Sequence, residues 1–133
     1  MDINNLIDEY NALKENSDSE RSLALFYKVR DLLERGELRV AYKRDGEWVI
    51  NSWVKSVILF GFRYGIITEY HGSPLSFLDK DSYPARSFAK EDNIRLVPGG
   101  SSVRAGAYVA SGTVIMPPSY INTGAYVDSG CMV

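Results

Sequence analysis

The sequence predicts an α+β domain over residues 1–95, followed by the start of a left-handed parallel β-helix over residues 96–133. Three observations predict this fold class: helical spacing of apolar residues in the first part, a hairpin signal at Asp45-Gly46, and a strict six-residue repeat in the last part. Helices mixed with a short hairpin are typical of α+β domains, whereas a fixed short repeat is typical of a solenoid.

Two helices are predicted at the start of the chain, because apolar residues recur there at intervals of three and four. The first helix carries Ile3, Leu6, Ile7, Tyr10 and Leu13. The second carries Leu25, Val29, Leu32 and Leu33. We expect Ser17 or Ser19 to cap the second helix, and we expect it to end at Gly36, where glycine permits a left-handed cap.

A β-hairpin is predicted over residues 39–50, because Asp-Gly tolerates the positive φ of a tight turn. A third helix follows, capped by Asn51 or Ser52. Its sequence WVKSVILFGFR is apolar on most of its circumference and is therefore predicted to be buried. Residues 65–89 are predicted to be mostly loop, with one short strand near residues 66–70. Four aromatic residues are expected in the core of this domain: Trp48, Trp53, Phe60 and Phe62.

An aliphatic residue recurs every six positions in the last part of the chain: Val97, Val103, Val109, Ile115, Ile121, Val127 and Val133. A small residue stands two positions before each aliphatic residue from Val103 onward, and a glycine or proline precedes each small residue. Within each repeat, the small and aliphatic side chains of a three-residue strand point inward and the middle one points outward. Stacked repeats of this kind fill a continuous interior, so Cys131, in a small position, is predicted to be a packed thiol.

Composition excludes several classes of function. The net charge of -2 gives no basic footprint for nucleic acid, and no apolar run is long enough to span a membrane. We therefore expect a cytoplasmic protein that binds neither nucleic acid nor a membrane. One cysteine and one histidine make a metal site improbable, and His71 and Asp128 are assigned no role.

The segment IRLVPGGSSVRAGAYVASGTVIMPPSYINTGAYVDSGCMV resembles the entry into the β-helix of the tetrahydrodipicolinate N-succinyltransferase family. The similarity extends upstream through LLERGELRVAYKRDGEWVINSWVKSVILFGFR and FLDKDSY, so it covers roughly residues 23–133. The sequence departs from the family's pattern at Pro117-Pro118, where one proline is usual, and at Thr123 and Ser129. None of these departures falls on a position matched to a functional residue.

The resemblance implies a homotrimer that transfers a succinyl group from succinyl-CoA to an amino dicarboxylate in the diaminopimelate route to lysine. It implies no bound cofactor, with succinyl-CoA as co-substrate. Arg95 matches the arginine of the family's R-x-V-P run that binds substrate, and a guanidinium suits a carboxylate bidentately. No catalytic residue is assigned within the chain.

The repeat stops partway through a coil at Val133, which predicts that the chain is part of a longer polypeptide. The family's second substrate-binding position and its CoA-binding coils would lie beyond Val133, so the chain alone is expected to be inactive. Two alternatives stay open. One is another hexapeptide acyltransferase, for instance one that uses acetyl-CoA, and the other is a non-catalytic trimerisation module. A γ-carbonic anhydrase is disfavoured, because no histidine lies between Val97 and Val133.

Overall fold

The computed structural model describes residues 2–72 and 76–133 and shows an α+β protein. Its helices are α1 (Ile3–Glu15), α2 (Ser19–Glu34) and α3 (Ser52–Tyr64), with a 3-10 turn at Lys90–Asp92. Its strands are β1 (Ala41–Arg44), β2 (Glu47–Ile50), β3 (Ile67–His71), β4 (Ser76–Lys80), β5 (Arg95–Leu96), β6 (Ser102–Val103), β7 (Tyr108–Val109), β8 (Val114–Ile115), β9 (Tyr120–Ile121) and β10 (Tyr126–Val127). The predicted α+β class is confirmed.

The N-cap of α2 differs from the prediction in its residue, whereas the N-cap of α3 is the predicted Asn51. Asp18, rather than Ser17 or Ser19, caps α2 by accepting a hydrogen bond from the backbone N–H of Arg21 at 2.7 Å. A carboxylate at this position also interacts favourably with the positive end of the helix dipole. Asn51 stands before α3 as predicted, but its amide donates to the carbonyl oxygen of Arg39 at 2.7 Å instead of capping the helix. It therefore ties α3 to the start of the first hairpin.

The core of the first part lies where α2 crosses α3. Leu25, Phe26 and Val29 of α2 are fully buried there, and so are Val54 and Val57 of α3. Gly61 of α3 allows the Tyr83 hydroxyl and the Phe26 ring to approach the helix backbone, because a Cβ at this position would collide with both.

Two predictions of burial in this part of the chain are wrong. Trp48 is 64% exposed on the hairpin, although Trp53, Phe60 and Phe62 do pack against the core. Lys43 covers one face of the Trp48 ring, with its Nζ 5.4 Å from the ring centroid. Helix α3 is buried on one side only, since Leu59 is 55% exposed.

Two antiparallel hairpins flank α3. Strands β1 and β2 pair around Asp45 and Gly46, both at positive φ, which confirms the predicted hairpin. Strands β3 and β4 form a second hairpin in register from Ile67 opposite Lys80 to His71 opposite Ser76. The prediction that residues 65–89 are mostly loop is thus wrong for β4. The segment SFLDK lacks strict alternation of apolar and polar residues, so periodicity alone does not reveal this strand.

The strands from Arg95 onward pair in parallel with strands that follow three six-residue repeats later. Ser102 is in register with Tyr120, and Tyr108 with Tyr126, so partners are eighteen residues apart. The first pair is different, because Arg95 is in register with Val114, nineteen residues later. Leu96, not Val97, therefore stands opposite Ile115, and the prediction that the inward series begins at Val97 is wrong.

The aliphatic positions of the repeat form a second hydrophobic cluster. Val103, Val109, Ile115 and Ile121 are buried in it together with Ala107. Cys131 is exposed, which corrects the prediction of a packed interior thiol. Its carbonyl oxygen accepts a hydrogen bond from the backbone N–H of Val114 at 3.0 Å.

Among the described residues, no helix is long and apolar enough to cross a membrane.

Candidate functional site

Arg95 begins strand β5, on the outer side of the parallel strands. Its backbone N–H donates to the carbonyl oxygen of Thr113 at 2.9 Å, and its side chain is exposed. Val114 and Met132 follow it in register on the same side. We call these three residues the Arg95 row. Within residues 2–72 and 76–133, the Arg95 guanidinium makes no ion pair or hydrogen bond, so its charge is available to a ligand.

The other two sides of the parallel strands carry similar rows of outward-facing residues. Both of these rows lie against the first part of the chain. The Tyr108 and Tyr126 rings stack with centroids 4.4 Å apart, and the Arg39 guanidinium lies 3.6 Å from the Tyr126 centroid. The third row, Ser102 and Tyr120, lines a cleft beneath the second hairpin. In contrast, Met132 of the Arg95 row is 74% exposed. Arg95 is exposed as well, whereas Val114 between them is half-buried.

A left-handed residue stands two positions before each member of the Arg95 row. Gly112 and Gly130 have φ of 81° and 70°, and Asn93 has φ of 53° at the first such corner. The backbone N–H of Gly112 donates to the carbonyl oxygen of Asn93 at 2.8 Å, which stacks the first two corners. Sequence reasoning missed Asn93. Its position in the sequence could have indicated it, since it precedes Arg95 by the same interval that separates Gly112 from Val114.

A cleft of about 320 Å³ lies between the second hairpin and the row of Ser102 and Tyr120. Arg104 forms an ion pair with Asp79 of β4 in this cleft. Its guanidinium also lies against three rings, with centroids 5.1 to 5.8 Å away, which belong to Phe62, Tyr83 and Tyr120. The ion pair already balances the charge of Arg104. This cleft is therefore apolar with an internally neutralised cation, unlike the surroundings of Arg95.

The remaining polar residues singled out in the sequence do not join Arg95. Asp128 is exposed, and its carboxylate accepts the backbone N–H of Ser129 at 2.8 Å. His71 is exposed on β3, with its Nε2 3.7 Å from a carboxylate oxygen of Glu69. In the described part of the chain, no three His, Cys, Asp or Glu residues cluster closely enough to hold a metal ion.

Comparison with known proteins agrees with the resemblance noted in the sequence. Residues 1–64 match the family model described as "Tetrahydrodipicolinate N-succinyltransferase N-terminal". A 2,3,4,5-tetrahydropyridine-2,6-dicarboxylate N-succinyltransferase of Idiomarina loihiensis is 39% identical over 131 residues, 95% of this chain. The chain is similar to the N-terminal part of this N-succinyltransferase family.

Other relatives with the same name are also similar to the chain. The Sodalis glossinidius protein is 43% identical over 106 residues, 76% of this chain, and the Pasteurella multocida protein is 44% identical over 101 residues, 72% of this chain. The chain spans 46% of the Idiomarina protein, 38% of the Sodalis protein and 36% of the Pasteurella protein. It thus corresponds to less than half of the length of each of these family members.

Proposed function

We propose that the full-length protein with this sequence is an acyltransferase that transfers succinyl from succinyl-CoA to the amino group of an amino dicarboxylate derived from tetrahydrodipicolinate. The reaction belongs to the diaminopimelate route to lysine. The observation that carries this proposal is the 39% identity to a named N-succinyltransferase over 95% of the chain. The open, unpaired Arg95 within the R-L-V-P run gives the proposal a specific site.

Residues 96–133 begin a left-handed parallel β-helix in this proposal, and residues 1–95 form a separate α+β domain. The parallel pairing of strands eighteen residues apart supports the first statement, because a triangular coil of three six-residue sides has this length. The separate hydrophobic clusters of the two parts support the second statement. The full-length protein assembles as a homotrimer in which neighbouring copies complete each active site.

Arg95 binds a carboxylate of the amino substrate. A guanidinium offers two parallel N–H donors, which match the two oxygens of a carboxylate. Because its position is set by the ladder hydrogen bond to Thr113 rather than by a side-chain partner, Arg95 can turn both donors toward a ligand. Its row is also exposed at Arg95 and at Met132, which leaves room for a substrate or a neighbouring subunit.

The chemistry in this proposal is direct attack of an amine on a thioester. The substrate nitrogen forms a bond to the carbonyl carbon of succinyl-CoA, the carbon–sulfur bond breaks, and the nitrogen loses a proton while CoA leaves as a thiol. No covalent enzyme intermediate is needed. Arg95 contributes by orienting the amine, and holding two reactants in a productive geometry lowers the entropic part of the barrier. No residue of this chain is assigned as the proton acceptor.

The test is Arg95→Lys in the full-length protein. Lysine keeps the charge but loses the paired donors, so kcat/KM for the amino dicarboxylate should fall by about one to two orders of magnitude. The KM for succinyl-CoA should remain within a factor of about two. Arg35→Lys is the matched control, because Arg35 is exposed and its guanidinium pairs, among the described residues, only with Glu37. An Arg95→Lys enzyme with unchanged kinetics for the amine, or with equal losses for both substrates, would refute the assignment of Arg95.

The acyl donor is tested separately. Full-length protein should form an amide with the amino dicarboxylate and succinyl-CoA, as measured by release of the CoA thiol. Faster turnover with acetyl-CoA would replace the proposed donor. No turnover with either donor would overturn the enzyme assignment.

A further inference from the structure

We infer that Asn93 is a positioning residue whose left-handed backbone sets where the Arg95 side chain leaves β5, so that its guanidinium can reach the substrate. This inference rests on the function proposed for Arg95. Asn93 lies two residues before Arg95, at the point where the chain turns from the 3-10 turn at Lys90–Asp92 into β5. It does not touch the substrate in this scheme, so its effect passes through the main chain.

The conformation of Asn93 is unusual for a residue with a side chain. Its φ and ψ are 53° and 41°, in the left-handed region that glycine adopts freely and that most other residues avoid. Gly112 and Gly130 hold the same place before Val114 and Met132. Asparagine is among the few residues that tolerate this region, because its short polar side chain can form local hydrogen bonds.

Three hydrogen bonds hold Asn93 in place. Its backbone N–H donates to the carbonyl oxygen of Lys90 at 3.2 Å, and its carbonyl oxygen accepts the N–H of Gly112 at 2.8 Å. Its side-chain amide donates to the Ser111 hydroxyl at 3.2 Å. Together with the bond from Arg95 to Thr113, these contacts attach both ends of residues 93–95 to residues 111–113, which lead into β8.

The dependence of Arg95 on Asn93 follows from the lack of other supports. Within the described residues, the Arg95 side chain has no polar partner, and its row is open to solvent. The direction in which β5 leaves the corner therefore sets the position of the Cα and Cβ of Arg95, and with it the region that the guanidinium can reach. A residue that resists positive φ at position 93 would rotate this exit and displace Arg95, while the buried Leu96 and Ile115 contact resists complete loss of the strand.

The experiment compares Asn93→Ala, Asn93→Gly and Ser111→Ala in the full-length protein. Alanine disfavours the left-handed conformation, so Asn93→Ala should raise the KM for the amino dicarboxylate about fivefold or more and leave the KM for succinyl-CoA unchanged. Glycine keeps the conformation and should leave both KM values within about twofold of the original. Ser111→Ala removes only the side-chain hydrogen bond and should resemble Asn93→Gly.

A second comparison separates this inference from the proposal about Arg95. If Asn93 acts through Arg95, Asn93→Ala should raise the KM for the amino dicarboxylate by less than about twofold in an Arg95→Lys background. The reason is that the effects of substitutions at coupled residues are not additive. An undiminished effect in that background, or equal impairment by glycine and alanine, would overturn the inference while Arg95→Lys alone still tests the proposed function. If Asn93→Ala does not fold, Asn93→Ser should give a smaller rise in the same KM, and an unchanged KM would likewise overturn the inference.

Discussion

Glu34, the last residue of α2, accepts a hydrogen bond at 2.8 Å from the backbone N–H of Gly106, seventy-two residues later in the chain. The other carboxylate oxygen of Glu34 lies 3.3 Å from the Nε of Arg86. Arg86 in turn donates to the carbonyl oxygen of Ala107 at 2.6 Å. One carboxylate and one guanidinium thus connect α2, the segment before β5 and the turn before β7.

Replacement of Glu34 by alanine should destabilise the protein by about 1 to 3 kcal/mol, because a backbone N–H and a half-buried guanidinium lose a charged partner. Urea denaturation followed by circular dichroism would measure the loss. Glu37→Ala is the matched control, since the Glu37 and Arg35 side chains are both exposed. Equal losses in the two variants would show that the contact between Glu34 and Gly106 adds nothing to stability.

The contact between Glu34 and Gly106 could not be predicted from sequence. Periodicity identifies which residues of α2 face the core, but it does not identify which distant backbone N–H meets the end of the helix. The repeat was more informative, because a six-residue period specifies its own partners. Even there, the nineteen-residue spacing between Arg95 and Val114 escaped detection, since the extra residue lies in the glycine-rich turn after Pro98.

The size limit of the small inward positions gives another prediction. Ala107 is fully buried between the strands of the repeat, so Ala107→Leu should overpack the interior and cost about 1 to 3 kcal/mol. Ala24→Leu makes the same change at an exposed site of α2 and should alter stability by less than about 0.5 kcal/mol. Thermal unfolding of both variants would measure the difference. A stable Ala107→Leu protein would contradict the close packing of this position.

Arg39 and Tyr126 should be energetically coupled. The guanidinium lies 3.6 Å from the ring centroid, and a partly buried cation over an aromatic face contributes about 0.5 to 2 kcal/mol. A double-mutant cycle with Arg39→Met and Tyr126→Leu would isolate this energy. The same cycle on Arg63 and Tyr64 should give a coupling energy near zero. There the guanidinium lies 6.0 Å from the ring centroid and is less enclosed. A coupling no larger than in that control would exclude a stabilising contact between Arg39 and Tyr126.

The same contact shows why exposure was misjudged from the sequence. Tyr126 stands in an outward position of the repeat, yet Arg39 and Tyr108 cover its ring. Trp48 has a typical core side chain, yet it is exposed because its strand belongs to a two-stranded hairpin with one side toward solvent. Local pattern predicts on which side of a strand a residue lies, whereas tertiary packing decides what covers that side.

Tyr83 should make stability depend on pH in the alkaline range. It is 2% exposed, and its hydroxyl donates to the carbonyl oxygen of Ile58 at 2.5 Å. Burial raises the pKa of Tyr83 above its ordinary value, because the phenolate would lose its hydration. The folded state therefore holds this proton more tightly than the unfolded state. The resulting stabilisation is complete below the unfolded pKa of about 10 and declines as the pH rises above it.

Tyr83→Phe removes this titration together with the hydrogen bond to Ile58. At pH 8 the variant should be less stable than the original protein, but its free energy of unfolding should fall less steeply between about pH 9.5 and 11. Urea denaturation at several pH values would give both slopes. Tyr120→Phe is the control, since Tyr120 is 58% exposed and its removal should leave the steep decline in place. Parallel declines in the original protein and in Tyr83→Phe would show that Tyr83 ionises as readily in the folded state as in the unfolded chain.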